Sequence, residues 1–93
     1  MIKSFKCKET EKIYNSFFSK KFPTEIQERA KMKLRMLNFS VSLNDLRIPP
    51  SNNLEQLKGD RDGQWSIRIN KQWRICFNWI NNDAFNVEVT DYH

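Results

Sequence analysis

Two stretches of the chain, WSIRIN (residues 65–70) and WRICFNW (residues 73–79), alternate apolar and polar side chains one for one. A third, FNVEVT (residues 85–90), repeats the pattern with Phe85, Val87 and Val89 in its apolar positions. A period of two is typical of β-strands with one buried face, and the short polar segments between the stretches indicate tight turns. The three stretches therefore predict an antiparallel meander with one apolar and one polar face.

Two upstream segments have the apolar spacing of helices instead. Residues 9–19 predict a first helix with Ile13, Phe17 and Phe18 on one face, and residues 24–38 predict a second. Thr24 with Gln27 resembles a capping box at the start of the second helix. The second helix presents apolar residues at helical spacing, namely Ile26, Ala30, Leu34 and Leu37. Helices covering the apolar face of a mainly antiparallel sheet make this an α+β chain.

The ends and the middle of the chain show weaker secondary-structure patterns. Residues 2–5 predict a short first strand, and residues 44–53, with two prolines, predict a loop. The whole chain, residues 1–93, has the length of one domain. Its two cysteines, Cys7 and Cys76, form no CxxC motif, and the single histidine is His93, so no zinc site is expected. We expect free thiols, a cytoplasmic location, no cofactor, no metal and no membrane span.

The charge of the chain is positive and uneven. It carries a net charge of +5, from 16 basic and 11 acidic residues. Residues 1–50 hold eleven basic and five acidic residues, whereas residues 51–93 hold five basic and six acidic ones. Such a field favours an anionic partner: nucleic acid, an acidic protein or an anionic membrane. An ordinary soluble basic domain would show the same balance.

Two groups of cations are candidates for anion binding. Arg29, Lys31 and Arg35 lie on the polar side of the second predicted helix, either as a solvated surface or as a stripe facing phosphates. Arg68 and Arg74 fall on the polar face of two adjacent predicted strands. Two guanidinium groups placed there can converge on one anion, and the planar fork of arginine suits a phosphate.

The order of several short blocks resembles a known family. The blocks are MIKSFK (residues 1–6), LKGD (57–60), GQWSIR (63–68), WRICF (73–77) and DYH (91–93). Together they resemble the HigB branch of the RelE/ParE superfamily of toxins over nearly the full length. The resemblance implies a compact RelE-like microbial RNase fold and cleavage of mRNA in the ribosomal A site. It also implies a HigA-like helix-turn-helix antitoxin as partner, and indirect contact with operator DNA through that antitoxin. No membrane partner is expected.

The resemblance also implies which residues act. Cations would surround the scissile phosphate, and the terminal block would supply polar and proton-transfer groups, with the histidine best suited to titrate near neutral pH. The 2′-OH of RNA is the nucleophile, so no metal is needed. The implied catalytic residues are Lys58, Arg68, Arg74, Asp91, Tyr92 and His93. The expected RNA-binding residues are Lys31, Arg35, Arg61 and Lys71.

One departure from the family pattern affects the expected chemistry. Many relatives have His-Pro before Leu-Lys-Gly, where this chain has Glu55-Gln56. Glu55 is a candidate acid/base substitute, although nearby cations favour its ionised form. We therefore expect weakened or altered cleavage. Two alternatives stay open: an RNA- or ribosome-binding inhibitor with little cleavage, and a protein that serves chiefly as co-repressor with its antitoxin. The resemblance places the antitoxin on the helical or N-terminal surface, away from the active site.

Overall fold

The computed structural model describes residues 1–91, and it confirms the predicted α+β class. Two helices precede a single sheet, and three short 3-10 helices lie at Leu43–Arg47, Pro50–Asn52 and Gly59–Arg61. The helices are α1 (Lys8–Tyr14) and α2 (Thr24–Phe39). The strands are β1 (Glu55–Gln56), β2 (Gln64–Arg68), β3 (Trp73–Ile80) and β4 (Asp83–Asp91).

The sheet is the predicted antiparallel meander with one added strand, in the order β1-β2-β3-β4. Ile67 lies opposite Ile75, and Trp65 lies opposite Phe77, so the apolar positions of β2 and β3 share one face. That face packs against α2, whose Ile26, Ala30, Leu34 and Leu37 are all buried, as predicted. One hydrophobic core therefore lies between the helices and the sheet.

The first helix is shorter than predicted. It ends at Tyr14, and Ser16 has a left-handed φ of 68°, which turns the chain away from the helix axis. Phe17 and Phe18 consequently remain 66% and 62% exposed, so their predicted place on the buried face is wrong.

The predicted capping box at Thr24 is also absent. The N-cap position of α2 is Pro23, and no side chain caps the helix. Gln27 instead ties down the preceding loop: its Nε2 donates to the carbonyls of Ser19 (2.7 Å) and Phe22 (2.9 Å). Its Oε1 accepts from the backbone N–H of Ser19 at 3.0 Å. The side-chain amide of Gln27 therefore stabilises the loop before α2 and does not cap the helix, because it satisfies three backbone groups of that loop.

A β-bulge changes the face of one predicted strand residue. Asn86 has φ +55°, and the register between β3 and β4 shifts between Cys76 and Asn78. Ala84, paired with Trp79, is therefore buried in the core with Val87. Phe85 pairs with Asn78 on the other face, so its predicted position beside Val87 is wrong.

The N-terminal segment lies along the outer edge of β4 instead of forming a full strand. Two isolated parallel bridges, Ile2 to Ala84 and Phe5 to Val87, replace the strand predicted at residues 2–5. Deeper in the molecule, the backbone N–H of Val89 donates to Oγ1 of the buried Thr10 in α1 at 2.9 Å. These contacts satisfy donors that an open edge strand would leave unpaired. Among residues 1–91, no helix is long and apolar enough to cross a membrane.

Candidate active site on the polar face of the sheet

The face of the sheet turned away from the helices carries polar side chains in two rows. Directly opposed residues of antiparallel strands share a face, so the register defines the rows. The first row crosses all four strands through Glu55, Ser66, Cys76 and Glu88. The second row runs through Arg68, Arg74 and Thr90. The predicted placement of Arg68 and Arg74 side by side on this face is therefore confirmed.

Arg74 is the buried cation of the site, only 5% exposed. Its Nε donates to Oγ of Ser66 at 2.8 Å, and its Nη2 donates to the carbonyl of Asn53 at 2.7 Å. Its Nη1 lies 3.6 Å from Oε1 of Glu55. Hydrogen bonds of this kind fix the plane of the guanidinium group before any ligand arrives. Arg74 is thus a fixed positive charge beneath the polar face.

Arg68, its neighbour across the strand pair, is exposed. Its Nε donates to the carbonyl of Asn70 at 3.2 Å, within the turn that joins β2 to β3. A guanidinium group held by one exposed hydrogen bond keeps the freedom to turn towards an anion. The two arginines therefore combine a fixed charge with an accessible one.

Glu88 forms ion pairs with two further cations near the polar face. Its Oε1 is 2.9 Å from Nη2 of Arg61, and its Oε2 is 3.9 Å from Nζ of Lys6. Arg61 also donates from Nη1 to Gln64, at 3.0 Å. The charge of Arg61 is thus already compensated within the fold, and its expected contact with RNA stays a prediction. Burial raises the pKa of the Cys76 thiol beside Glu88, so this thiol stays protonated and unreactive.

Lys58 and Asp91 are not in register with either arginine. Lys58 is exposed just before the Gly59–Arg61 helix, next to Leu57, whose N–H bonds the carbonyl of Gln64 at the far end of β2 from Arg68. Asp91 is in register with Trp73, a residue of the helix-covered face, and its Oδ2 accepts from Nε2 of Gln72 at 3.1 Å. The backbone register therefore puts Asp91 in neither polar row. Its catalytic role and that of Lys58 remain predictions.

Two predicted catalytic residues, Tyr92 and His93, lie outside the described residues. Within residues 1–91, no group of three or more His, Cys, Asp or Glu side chains is placed to hold a metal ion.

The basic residues of α2 divide between its two sides. Nζ of Lys31 is 3.3 Å from Glu28, and Nη2 of Arg35 donates to Ser16 at 3.5 Å, so both predicted RNA-binding residues lie on the side that faces α1. Arg29 and Lys33 lie on the other side, in the groove beside the end of β2, where Nη1 of Arg29 donates to the carbonyl of Ile69 at 3.4 Å.

Lys33 was not among the residues expected to bind RNA, although it lies near the active-site strands. Its Nζ donates to Oδ1 of the buried Asn52. Burial, and then the charge of Arg29, lower the pKa of Lys33. The sequence analysis grouped Arg29 with Lys31 and Arg35, whereas the four-residue spacing of Arg29 and Lys33 could have placed these two on a side of their own.

Comparison with known proteins identifies the group to which this fold and these residues belong. Residues 3–93 match the family model of HigB-like toxins, described as the RelE-like toxin of the type II toxin-antitoxin system HigB. The chain is 34% identical to Endoribonuclease HigB of Proteus vulgaris over 93 residues, covering 100% of both chains. It is 42% identical to Toxin HigB-1 of Vibrio cholerae over 64 residues, which are 69% of this chain and 67% of that one.

Among solved structures, the fold resembles the YoeB-YefM complex from Staphylococcus aureus. The TM-score is 0.60 at 17% identity, over 100% of this chain and 98% of that chain. This likeness agrees with the predicted RelE-like fold. With a family model that covers nearly all of its length and a full-length relative of 34% identity, the chain belongs to the HigB-like toxin family.

Proposed function

We propose that the protein is an endoribonuclease toxin that cleaves mRNA in the A site of the ribosome. The observation that carries the proposal is the pair of Arg68 and Arg74, opposed across β2 and β3 on the polar face. A full-length relative named Endoribonuclease HigB supports it. A buried, fixed cation beside an exposed one suits a phosphate that gains charge during a reaction.

The chemistry uses the substrate's own nucleophile. The 2′-oxygen of the ribose attacks the adjacent phosphorus, the bond from phosphorus to the 5′-oxygen breaks, and a 2′,3′-cyclic phosphate remains. A base takes the proton of the 2′-OH, and an acid returns a proton to the departing 5′-oxygen. Cations around the phosphate stabilise the negative charge that builds on its oxygens. In this scheme the protein positions the bond and supplies charge without a metal.

Arg74, Arg68 and Glu55 have distinct parts in this scheme. Arg74, held by Ser66, supplies charge that needs no rearrangement, and Arg68 reaches the phosphate from the solvent side. Glu55 lies 3.6 Å from Arg74, so a proton acceptor lies beside a phosphate-binding cation. We assign proton donation to the predicted terminal residues Tyr92 and His93.

The test is primer extension on mRNA from cells that briefly express the chain without a partner. The proposal expects in-frame cuts inside translated regions for the wild type and none for Arg68→Ala. Lys20→Ala, which removes one positive charge from the exposed loop between α1 and α2, is the matched control and should cut normally. Cuts at untranslated positions, or equal cutting by Arg68→Ala, would refute the proposal.

One observation favours a second candidate, an inhibitor that occupies the ribosome and cuts little. Arg74 is 5% exposed and paired with Glu55, so part of its charge is already used inside the protein. Growth arrest with intact message in the same experiment would select this candidate. A main role as co-repressor would instead leave growth unaffected by the toxin alone.

We further propose that a HigA-like helix-turn-helix antitoxin binds the surface of α1 and the loop after it, and reaches operator DNA through its own domain. Phe17 and Phe18 are exposed there beside Lys8 and Lys12. Apolar side chains among cations suit an acidic, amphipathic partner segment. Phe17→Ser with Phe18→Ser should abolish co-purification of the antitoxin, whereas Arg68→Ala should retain it. The reverse pattern would place the antitoxin on the polar face.

A further inference from the structure

Between α2 and the end of β2 lies a groove of about 900 Å³ that shares Arg68 with the proposed reaction and otherwise has no part in it. One wall comes from α2, with Arg29, Met32 and Lys33, and the other comes from Arg68 and Lys71 with the residues between them. The groove is open because β1 is only two residues long. Within the described residues, β1 pairs with Trp65 and Ser66 and leaves the β2 edge beyond them uncovered.

Cations dominate the walls of this groove. Four of its side chains are basic: Arg29, Lys33, Arg68 and Lys71. Two carboxylates, Glu25 and Glu28, oppose them at one end, and Glu28 is already 3.3 Å from Lys31. Since Arg68 and Lys71 are exposed, an anion can reach them without opening the fold. Crowded like charges are relieved when an anion binds between them, which makes the groove an anion site.

The same groove also offers an apolar surface. Met32 is 62% exposed on the α2 wall, with the half-buried Met36 next to it. Methionine sulfur is polarisable, adapts its shape, and makes favourable contacts with aromatic rings. A surface that joins exposed methionines to several cations matches a nucleotide, which carries a flat base and a phosphate on one small unit. A bare inorganic anion would use the cations and leave Met32 without a contact.

We propose that this groove binds one nucleotide of the RNA strand next to the cleaved bond. The base lies against Met32 and Met36, and the phosphate lies between Arg68 and Lys71. Arg68 joins the two sites, because it lines the groove and also lies opposite Arg74 on the polar face. This inference rests on RNA as the substrate of the proposed function, but it does not depend on cleavage.

The test is an NMR titration of the wild-type protein, labelled at its methionine methyl groups, with a 2′-O-methyl RNA tetranucleotide. This RNA has no free 2′-OH and therefore cannot be cut by the proposed chemistry. The protein has three methionines, and Met1 lies at the edge of β4, away from the groove. The expected result is that the Met32 and Met36 methyl signals move while the Met1 signal does not. No movement at millimolar RNA, or movement of Met1 alone, overturns the proposal.

A pair of matched double variants tests the charges. Arg29→Gln with Lys71→Gln removes two cations from the groove, and Lys3→Gln with Lys20→Gln removes two exposed cations that do not line it. We expect the groove variant to bind the tetranucleotide about tenfold more weakly. The slope of log affinity against log salt concentration should also be shallower for the groove variant, by about 0.7 for each phosphate that is no longer neutralised. The control should keep the wild-type slope. If both double variants bind the RNA equally weakly, binding depends on the overall positive charge of the protein, and the proposal is overturned.

Two readouts separate this inference from the proposed function. Lys71→Gln alone keeps the bond from Arg29 to Ile69, so it replaces the double variant in this test if the double variant unfolds.

Cuts in cellular mRNA without any shift of the methionine methyl signals would refute the nucleotide site in the groove and leave the nuclease. Shifted Met32 signals without any cuts would refute the nuclease and leave the groove.

Discussion

The two arginines of the β2–β3 pair show how differently one residue type is used within one small protein. Arg74 is buried and bonded to Ser66, Asn53 and Glu55, whereas Arg68, directly opposite, is exposed and faces the groove beside α2. A buried charge must be satisfied by its own fold, so it stabilises and orders the site. An exposed charge keeps its hydration until a ligand displaces it, so it is available for binding. Burial, more than residue type, separates the positioning cation from the binding cation.

The largest expected effect is on the buried member. Arg74→Ala removes the donors to Ser66 and to the carbonyl of Asn53, and it should lower the free energy of unfolding by about 3 kcal/mol. Urea denaturation followed by circular dichroism measures this. Arg68→Ala should change the same quantity by no more than about 0.5 kcal/mol. Equal losses in the two variants would show that burial does not separate the two arginines.

The exposed member should matter for catalysis instead. Arg68→Ala should reduce the rate of mRNA cleavage in a reconstituted translation reaction about 100-fold, because one donor to the developing charge is removed. Arg68→Lys keeps the charge without the planar fork and should recover part of the rate. Full activity of Arg68→Ala would contradict this role of Arg68 and, with it, the proposed function.

A smaller effect is expected where the chain departs from its family. Glu55→His restores the residue that the family resemblance implies at this position, and it should raise cleavage several-fold, because imidazole can donate as well as accept a proton near neutral pH. Glu55→Gln has nearly the same size as Glu55 without a titratable group, and it should not raise cleavage. Primer extension at matched expression compares the three proteins. No gain for the histidine variant counts against the view that Glu55 weakens the reaction.

The smallest effect concerns a carboxylate far from the site. The hydroxyl of Ser19 donates to Glu9 at 2.7 Å, and this bond, helped by Lys12, lowers the pKa of Glu9. The folded protein therefore binds fewer protons than the unfolded chain near the ordinary value of 4.5, so the stabilisation is present above that pH. It is lost as the pH falls through the lowered pKa. Glu9→Gln should melt below the wild type at neutral pH and alongside it in acid, and a constant gap would refute this linkage.

The meander and the pairing of Arg68 with Arg74 could be predicted from the sequence because strand alternation is a local pattern. Once one residue of a strand is known to face the core, the alternation assigns a face to each of its neighbours along that strand. Phe85 was placed wrongly because a left-handed Asn86 interrupts that rule, and asparagine can adopt a positive φ without any other signal in the sequence. β1 was missed because Glu55 and Gln56 carry no apolar alternation.

The groove beside α2 could not be predicted in the same way. Arg29 and Lys33 are neighbours on the helix by spacing, but their meeting with Arg68 and Lys71 depends on how α2 packs across the sheet. That packing is set by contacts between residues far apart in the chain, which periodicity does not report. The family resemblance implied the residues of the catalytic set, and the strand register then put Asp91 outside the row that holds Arg68 and Arg74.

The contacts between the N-terminal segment and β4 bear on when this protein acquires its shape during synthesis. Val89 bonds Thr10 across 79 positions of the chain, and Asn86 bonds Ser4 across 82. Pairings of such high contact order close late in folding. A nascent chain still missing β4 has no partner for its first residues and no Thr90 beside Arg74. A ribosome making this protein therefore carries an incomplete fold until β4 has emerged, so the polar face is assembled only once that strand is available.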